Sequence, residues 1–449
     1  MNSIALKAPA KINLFLDIVG KLPNGYHEIE SVMQTIDLFD YVKISKSDEI
    51  SVVCSDGELS GKSNIAYKAA ELFFGYTGIN SGSMIEIDKR IPKQAGMAGG
   101  SADAAAVLYG LNKIFDEPLF EEELCDLGAK CGADVPFSIL GGTKHSDGIG
   151  EKLPSVSGMP DCWFVIVKPD ISMSTPESYK YYDEHGLCEL EHPDLKDFLS
   201  VLEENSIFSL SGKLHNVLEH TVENPVIGEI KNKMLELGAL GSMMTGSGTA
   251  VFGIFDSVHK AVAAKNVLSE KFDSVFLSRP TKTGIQLDKG AAVYEKFSEL
   301  GIKYERVDHP AVYTMEEMDS LGIFNKGVVG KNLFLRDNKG HRHFLIFVFG
   351  DKHVNLEAIQ NELGIKHVSF GSAERLDKYL GLTKGSVSPL GVVNDKDAAV
   401  EFIIDNEFSE YPCIGVHPNQ NTSTVWLSFD DLMKVIRENG NKIDFIKIR

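Results

Sequence analysis

The sequence predicts a mixed α+β chain of two independent modules, at 1–287 and 291–449, and three observations predict it. At 449 residues the chain is too long for one ordinary hydrophobic core. Residues 83–105, "SMIEIDKRIPKQAGMAGGSADAA", run from an alternating segment through a glycine-rich loop into an alanine-rich one, the strand–loop–helix order of a phosphate-binding turn. Around residues 281–297, "TKTGIQLDKGAAVYEKF", the first pattern closes and a fresh alternation of strand and helix signals opens, without a long flexible linker.

In order along the chain, residues 3–20 read as a strand pair or one long bent strand, with Ile12, Leu14 and Leu16 alternating against Lys11, Asn13 and Phe15. "NGYH" at 24–27 is a turn, 64–74 has helical spacing, and 83–91 is a strand leading to the glycine loop and a helix over 102–114. "DCWFVIVKP" (161–169) is a buried strand. "TPES" (175–178) opens a helix with Thr175 as N-cap, Pro176 at N1 and Glu177 in the first turn. Residues 238–255 place a second glycine-rich turn before a strand. The second module predicts strands at 331–336 and 343–349, helices near 355–363 and 372–380, strands near 400–404 and 423–428, and a terminal helix at 429–439.

Composition bounds the function classes. Hydrophobic residues at 43% and charged residues at 24% are those of a soluble globular protein. The N-terminal residues hold no signal-peptide core, and the longest strongly apolar run, "FLIFVF" (344–349), is too short for a bilayer. A cytoplasmic chain with no membrane partner is expected. Six scattered cysteines without a C-x-x-C pair predict reduced thiols and no metal centre built on them. The net charge of −19 argues against DNA or a generally nucleic-acid-coating surface. It is unevenly shared, −15 over residues 1–290 and −4 over 291–449, so the second module has room for a local basic face.

The loop poses a chemical question. Backbone N–H groups and a helix N-terminus favour phosphate, yet no Gly-Lys-Ser/Thr closes the loop as in a Walker A motif. Taken alone, Asp134 before Val-Pro is a helix cap, Lys11 a solvated strand lysine, Asn13 an ordinary strand polar residue and His27 a loop histidine.

Four segments change those readings. "PAKINLFLDIVGKLPNGYHEIESVMQTIDL" (9–38), "AGMAGGSADAA" (95–105), "CGADVPFSILGG" (131–142) and "MTGSGTAVFGIF" (244–255) together resemble the GHMP kinase superfamily. Within it they resemble the family acting on 4-diphosphocytidyl-2-C-methylerythritol in the methylerythritol phosphate route to isoprenoids. The resemblance implies a two-lobed kinase fold, ATP and Mg²⁺ as cofactors, and phosphorylation of the 2-hydroxyl of a cytidine-diphosphate-linked polyol. It implies ATP binding by Gly96, Ala98, Gly99, Gly100 and Ser101, with Ser101 meeting a phosphate or Mg²⁺. Lys11 takes the place of the missing Walker lysine and Asp134 that of the catalytic base. Asn13, Tyr26, His27, Tyr179, Thr245 and Gly246 are then substrate-binding, with His27 reading the cytosine edge between Tyr26 and Tyr179. Two positions depart from the family pattern: Ala98 stands where a glycine is commoner, with strain to follow if φ is positive there, and Ala102 replaces a second serine. Another small-molecule kinase of the superfamily, acting on homoserine or mevalonate, is the alternative, with "NGYH" as the discriminating segment.

In the second module, "VDHPAVYT" (307–314), "GKNLFLRD" (330–337), "GDKHVNLEAI" (350–359), "GSVSPLG" (385–391) and "HPNQNTSTV" (417–425) resemble the YbaK-like prolyl-tRNA-editing hydrolases, a mixed α/β fold. The resemblance implies an aminoacyl-tRNA(Pro) partner and hydrolysis of mischarged, alanyl, tRNA. It implies Lys331 as the catalytic group, Gly385 and Pro389 clasping the 3′ end, and Asn332 and His417 in support. The alternative keeps the fold as a non-catalytic tRNA-binding or regulatory appendage.

Overall fold

Two long strands, Ser3–Lys21 and His27–Ser47, form the hairpin around which the first part of the chain is built. They pair antiparallel from Ser3↔Ser45 to Lys21↔His27, with irregularities between Pro9 and Lys11, Asn13 and Phe15, and Ile18 and Gly20. An extra residue in one strand bends it and re-aims the side chains beside it, and two of these irregularities flank Lys11 and Asn13. The simple alternation expected for 3–20 therefore does not hold as an inside–outside pattern. Leu6 to Ile18 are buried on both faces, the polar Lys7, Lys11, Asn13 and Asp17 included. The computed structural model describes all residues except 24, 26, 149–151, 191, 313, 351, 353 and 448–449, and the side chains of 315, 358 and 363. The chain divides into two compact units, Met1–Asp288 and Lys289–Arg449.

In the first unit the hairpin lies in a seven-stranded sheet, ordered Gln286–Leu287, Ser3–Lys21, His27–Ser47, Gly82–Asp88, Ser51–Cys54. Thr143–Ser146 pairs with the second hairpin strand and His215–Asn216 with the first. The helix after the glycine loop, Gly99–Ile114, is buried all round between this sheet and helices Ile65–Thr77 and Val135–Leu140, with Ala102, Ala104, Ala105, Ala106, Val107, Leu108 and Leu111 all without solvent exposure. Alanine sets the spacing: a Cβ on Gly110 would come within 2.4 Å of Ile44 and 2.8 Å of Leu6. A second sheet of four antiparallel strands runs Val275–Ser278, Trp163–Val167, Val251–Phe255, Gly241–Met244.

The second unit is built on an eight-stranded mixed sheet, with Val328–Asp337 and His343–Phe349 as its central antiparallel pair. Leu345, Phe347, Phe402, Ile404, Phe408, Leu432 and Ile436 form its main cluster. Helix Phe429–Glu438 closes that cluster, but it is not the last element as expected. The chain ends on the strand Ile443–Ile446, which pairs parallel with Val400–Asp405. That strand is short and carries Asp444 between its apolar residues, too little periodicity to read from sequence.

One cap also differs. Helix Thr175–Glu184 begins one residue earlier than expected, with Ser174 as N-cap; its Oγ accepts from the Glu177 N–H and Glu177 returns a bond to the Ser174 N–H. Both hydroxyls suit the position, and the three-residue spacing to Glu177 decides for Ser174. Among the described residues, the six cysteines are free thiols and no helix is long and apolar enough to cross a membrane.

Candidate active site

The glycine loop and the second glycine turn are locked backbone to backbone. Lys11 N–H donates to Met97 O, and Thr249 and Ala250 N–H donate to Gln94 O and Ala95 O. Gly96 has φ +72°, and a Cβ there would sit 2.1 Å from Thr245 O; one on Gly246 would sit 2.8 Å from Gly96 O. These two glycines are demanded by close approach. Ala98 has φ +56°, the left-handed region that costs an L-residue about 1–2 kcal/mol. It occupies the N-cap of the following helix, and no side chain caps that terminus. The open N–H groups of the first turn thus face a cleft of about 1420 Å³, lined by Gly96, Ala98, Gly99, Gly100 and Ser101. An uncapped helix end over a glycine cradle fits a phosphate chain.

Lys11, Asn13 and Asp134 line the same cleft. Lys11 Nζ donates to Asn13 Oδ1 at 2.6 Å and stands 4.0 Å from Asp134 Oδ2. Burial pulls the Lys11 ammonium below the ordinary lysine range, with the Asp134 charge opposing. Asp134 sits at the N-cap position of helix Val135–Leu140, yet its carboxylate accepts no bond from that helix. Asp134 is thus the N-cap by position only, and its carboxylate is left to the cleft. Asn13 is largely committed: its amide donates to Ser31 Oγ at 2.8 Å while its oxygen holds Lys11. It positions the lysine. Thr245 stands behind the wall, fully buried, with its Oγ1 accepting from Asn13 N–H at 2.9 Å. Thr245 therefore holds the strand carrying Lys11, whereas Gly246 lines the cleft itself.

On the same cleft, His27 stacks on Tyr179, with ring centroids 4.8 Å apart and planes 23° from parallel, and meets Tyr182 edge-on. Burial pushes the Tyr179 hydroxyl up to about 12, so it stays protonated. Tyr26 lies outside the described residues. The sequence reading missed several neighbours. Asp183 accepts from Lys21 and pairs with His27, and Thr175 and Ser247 share a hydrogen bond of 3.0 Å at the cleft wall. Under the loop, Lys89 donates to Asp40 at 2.5 Å and Asp103 at 2.7 Å, with all three side chains nearly excluded from solvent. Burial works against the Lys89 charge, but the two carboxylates outweigh it and raise its pKa. Asp103 is raised well above the carboxylate range by burial and by Asp40.

In the second unit, Lys331 and Asn332 are consecutive on Val328–Asp337. Their partners across the strand pair are Val348 and Phe347, so they point to opposite faces. Asn332 shares the face of Phe347, which packs in one cluster with Leu390, next to Pro389. Lys331 Nζ donates to Lys352 O at 3.3 Å. Gly385 has φ +93°. Ser388, just before Pro389, donates its hydroxyl to His417 O, and His417 Nδ1 donates to Ser423 O at 3.0 Å. The structure thus joins the 385–391 loop to His417 and brings Asn332 to the same side, with Lys331 on the other face. Burial holds both His417 and His309 below the usual histidine range, His309 at about 4. His417 is therefore neutral near pH 7, with its lone pair on Nε2.

Comparison with known proteins follows the same division. Residues 64–142 match the GHMP kinases N terminal domain and 187–274 the GHMP kinases C terminal domain. The chain is 46% identical to 4-diphosphocytidyl-2-C-methyl-D-erythritol kinase of Alkaliphilus metalliredigens (strain QYMF) over 275 residues, 60% of this chain and 94% of that protein. The chain belongs to the 4-diphosphocytidyl-2-C-methyl-D-erythritol kinase family. The kinase of that name from Clostridium botulinum (strain Eklund 17B / Type B) is 43% identical, covering 61% of this chain and 99% of its own. A crystal structure of 4-(cytidine 5'-diphospho)-2C-methyl-D-erythritol kinase aligns with a TM-score of 0.54 at 29% identity, over 62% of this chain and 99% of its own. Homoserine kinase from Cytophaga hutchinsonii aligns at 0.52 with 19% identity, a likeness of fold alone. What sets this chain beside these family members is its second unit, where residues 309–435 match the aminoacyl-tRNA editing domain. The GHMP kinase fold is thus followed by a separate editing domain.

Proposed function

We propose that the first unit transfers the γ-phosphate of ATP to the 2-hydroxyl of 4-diphosphocytidyl-2-C-methyl-D-erythritol; its relatives' name supports the substrate, and the family resemblance implies the hydroxyl. The observation that carries this reading is the placement of Lys11 and Asp134 on one cleft between an uncapped glycine-loop helix and the stacked pair His27–Tyr179. ATP, when bound, supplies the phosphoryl group and Mg²⁺ shields its charge. The loop amides of 96–100 and the Ser101 hydroxyl hold the phosphates. Ser101, in the first turn of Gly99–Ile114 and lining the cleft, is the side chain placed to meet Mg²⁺ or a phosphate. Asp134 takes the proton of the acceptor hydroxyl, and Lys11 stabilises the oxygen as negative charge develops on it. Asn13 keeps Lys11 aimed. His27 and Tyr179 hold the cytosine, with stacking for the ring and hydrogen bonding for its edge.

Asp134→Asn tests the roles directly. The variant should bind ATP as the parent does and lose on the order of 10²–10⁴ in kcat, the usual contribution of a positioned base. A kcat within a few-fold of the parent removes Asp134 from that role.

For the second unit we infer a deacylase acting on alanyl-tRNA(Pro). An aminoacyl ester is already activated, so positioning the carbonyl beside a water is the chemistry required. Gly385 and Pro389 clasp the 3′ end with Asn332 and His417 Nε2 in support; the role of Lys331 in orienting the ester and terminal adenosine rests on the family resemblance alone, because its strand turns it to the other face. Alanyl-tRNA(Pro) should be deacylated faster than cysteinyl- or prolyl-tRNA(Pro), and Lys331→Ala should abolish the activity. Full-length protein that leaves alanyl-tRNA(Pro) as stable as buffer does, at low salt, makes the unit a non-catalytic appendage instead.

A further inference from the structure

Lys21 and His27 face each other at the end of the hairpin, and both reach Asp183 on helix Thr175–Glu184. Lys21 Nζ donates to Asp183 Oδ2 at 2.5 Å, and His27 Nε2 lies 2.7 Å from Asp183 Oδ1. Asp183 is one helical turn beyond Tyr179, whose ring stacks on His27, so one helix face holds the imidazole by its plane and by its edge. The hydrogen bond from Lys21, ahead of that from His27, keeps the Asp183 carboxyl below the usual range. An ionised carboxylate only accepts. Facing that acceptor, His27 Nε2 is the donor, which leaves Nδ1 as the ring nitrogen that can accept.

We propose that Asp183, oriented by Lys21, is the positioning residue that makes the site select cytosine over uracil, by fixing His27 as a hydrogen-bond acceptor at Nδ1. Cytosine presents an amino donor at its 4-position, and uracil presents a carbonyl acceptor there. A lone pair on Nδ1 accepts from the first and meets another lone pair on the second. The discrimination is thus set at Asp183, a residue that itself need not touch the base. The inference rests on the reading of the first unit as a kinase for a cytidine-linked substrate.

Asp183→Asn turns the device around. Lys21 has only donors, so it captures the amide oxygen and leaves the NH₂ facing His27 Nε2. That nitrogen must then accept, and the ring proton moves to Nδ1. The measurement is kcat/KM for the cytidine substrate and its uridine counterpart, together with ¹⁵N spectra of the His27 ring. The parent should prefer cytidine and show the Nε2–H tautomer. Asp183→Asn should lower the cytidine-to-uridine ratio roughly tenfold to a hundredfold and show Nδ1–H. Adding Lys21→Met frees the amide to rotate back, and should restore most of the preference. An unchanged ratio in Asp183→Asn, with a parent that discriminates, overturns the proposal and leaves the substrate reading standing. So does an Nδ1–H tautomer in the parent, a result that needs no variant to fold. A parent that phosphorylates both substrates equally, or neither, removes the substrate reading and the proposal with it.

Discussion

At the scale of single residues, Lys11 is the group whose environment most constrains the chemistry. Its pKa is lowered by burial and only partly restored by Asp134. Where the ammonium is needed at the reacting oxygen, kcat must fall on the alkaline side at a pH below that of an ordinary lysine. Lys11→Arg, whose guanidinium stays charged, should shift that limb upward; a limb that does not move in a pH–kcat profile assigns it to another group. Ala98 carries a different cost. At φ +56° its side chain is strained, and Ala98→Gly should raise stability by up to about 1 kcal/mol in denaturant melts, the strain relieved less the entropy of glycine. Lys11, Asp134 and His27 were legible because each sits in a motif with a recognisable neighbourhood. Lys21 and Asp183 were not: 162 positions separate them, and although Lys21 lies inside the 9–38 segment, nothing local links it to Asp183. Thr245 was read as a substrate contact from its motif, but burial makes it a support for the Lys11 strand.

At the scale of elements, the two glycine motifs were legible as turns, while the reason for their glycines was not. The sequence suggests phosphate, and the structure adds that Gly96 and Gly246 let two backbones cross. Gly96→Ala should cost about 3 kcal/mol or more, from backbone overlap and from positive φ together; a melt unchanged within error contradicts the crossing. The loop also rests on a buried ion triad that no local pattern announces, because Asp40, Lys89 and Asp103 come from three different elements. Lys89→Met leaves two buried carboxyls without their cation and should destabilise the first unit by about 3–5 kcal/mol. Adding Asp103→Leu, which removes one orphaned carboxyl, should recover part of that loss. The short strands Ile414–Val416 and Ile443–Ile446 escaped reading for a simpler reason: with three or four residues, alternation is not a signal.

At the scale of the whole molecule, the core clusters found among the described residues each fall within one unit. Two separate unfolding transitions are the expected result in calorimetry. Acid should distinguish them. His309 is held at about 4 by burial, against 6.5 for a free histidine. Between those values the unfolded chain binds more protons than the native one, so stability falls as pH drops from about 6.5 toward 4. The loss approaches about 3 kcal/mol in the second unit, and His309→Gln should flatten that slope. The acceptor alcohol of the first unit is decided by a substrate comparison. Purified full-length protein is incubated with ATP and Mg²⁺ and, separately, with 4-diphosphocytidyl-2-C-methyl-D-erythritol, mevalonate or homoserine, and ADP release and the phosphorylated product are followed. A new phosphate monoester should form on the cytidine-linked polyol, with kcat/KM at least a hundredfold above that for either other alcohol. Turnover of mevalonate or homoserine at an equal or higher kcat/KM would contradict it.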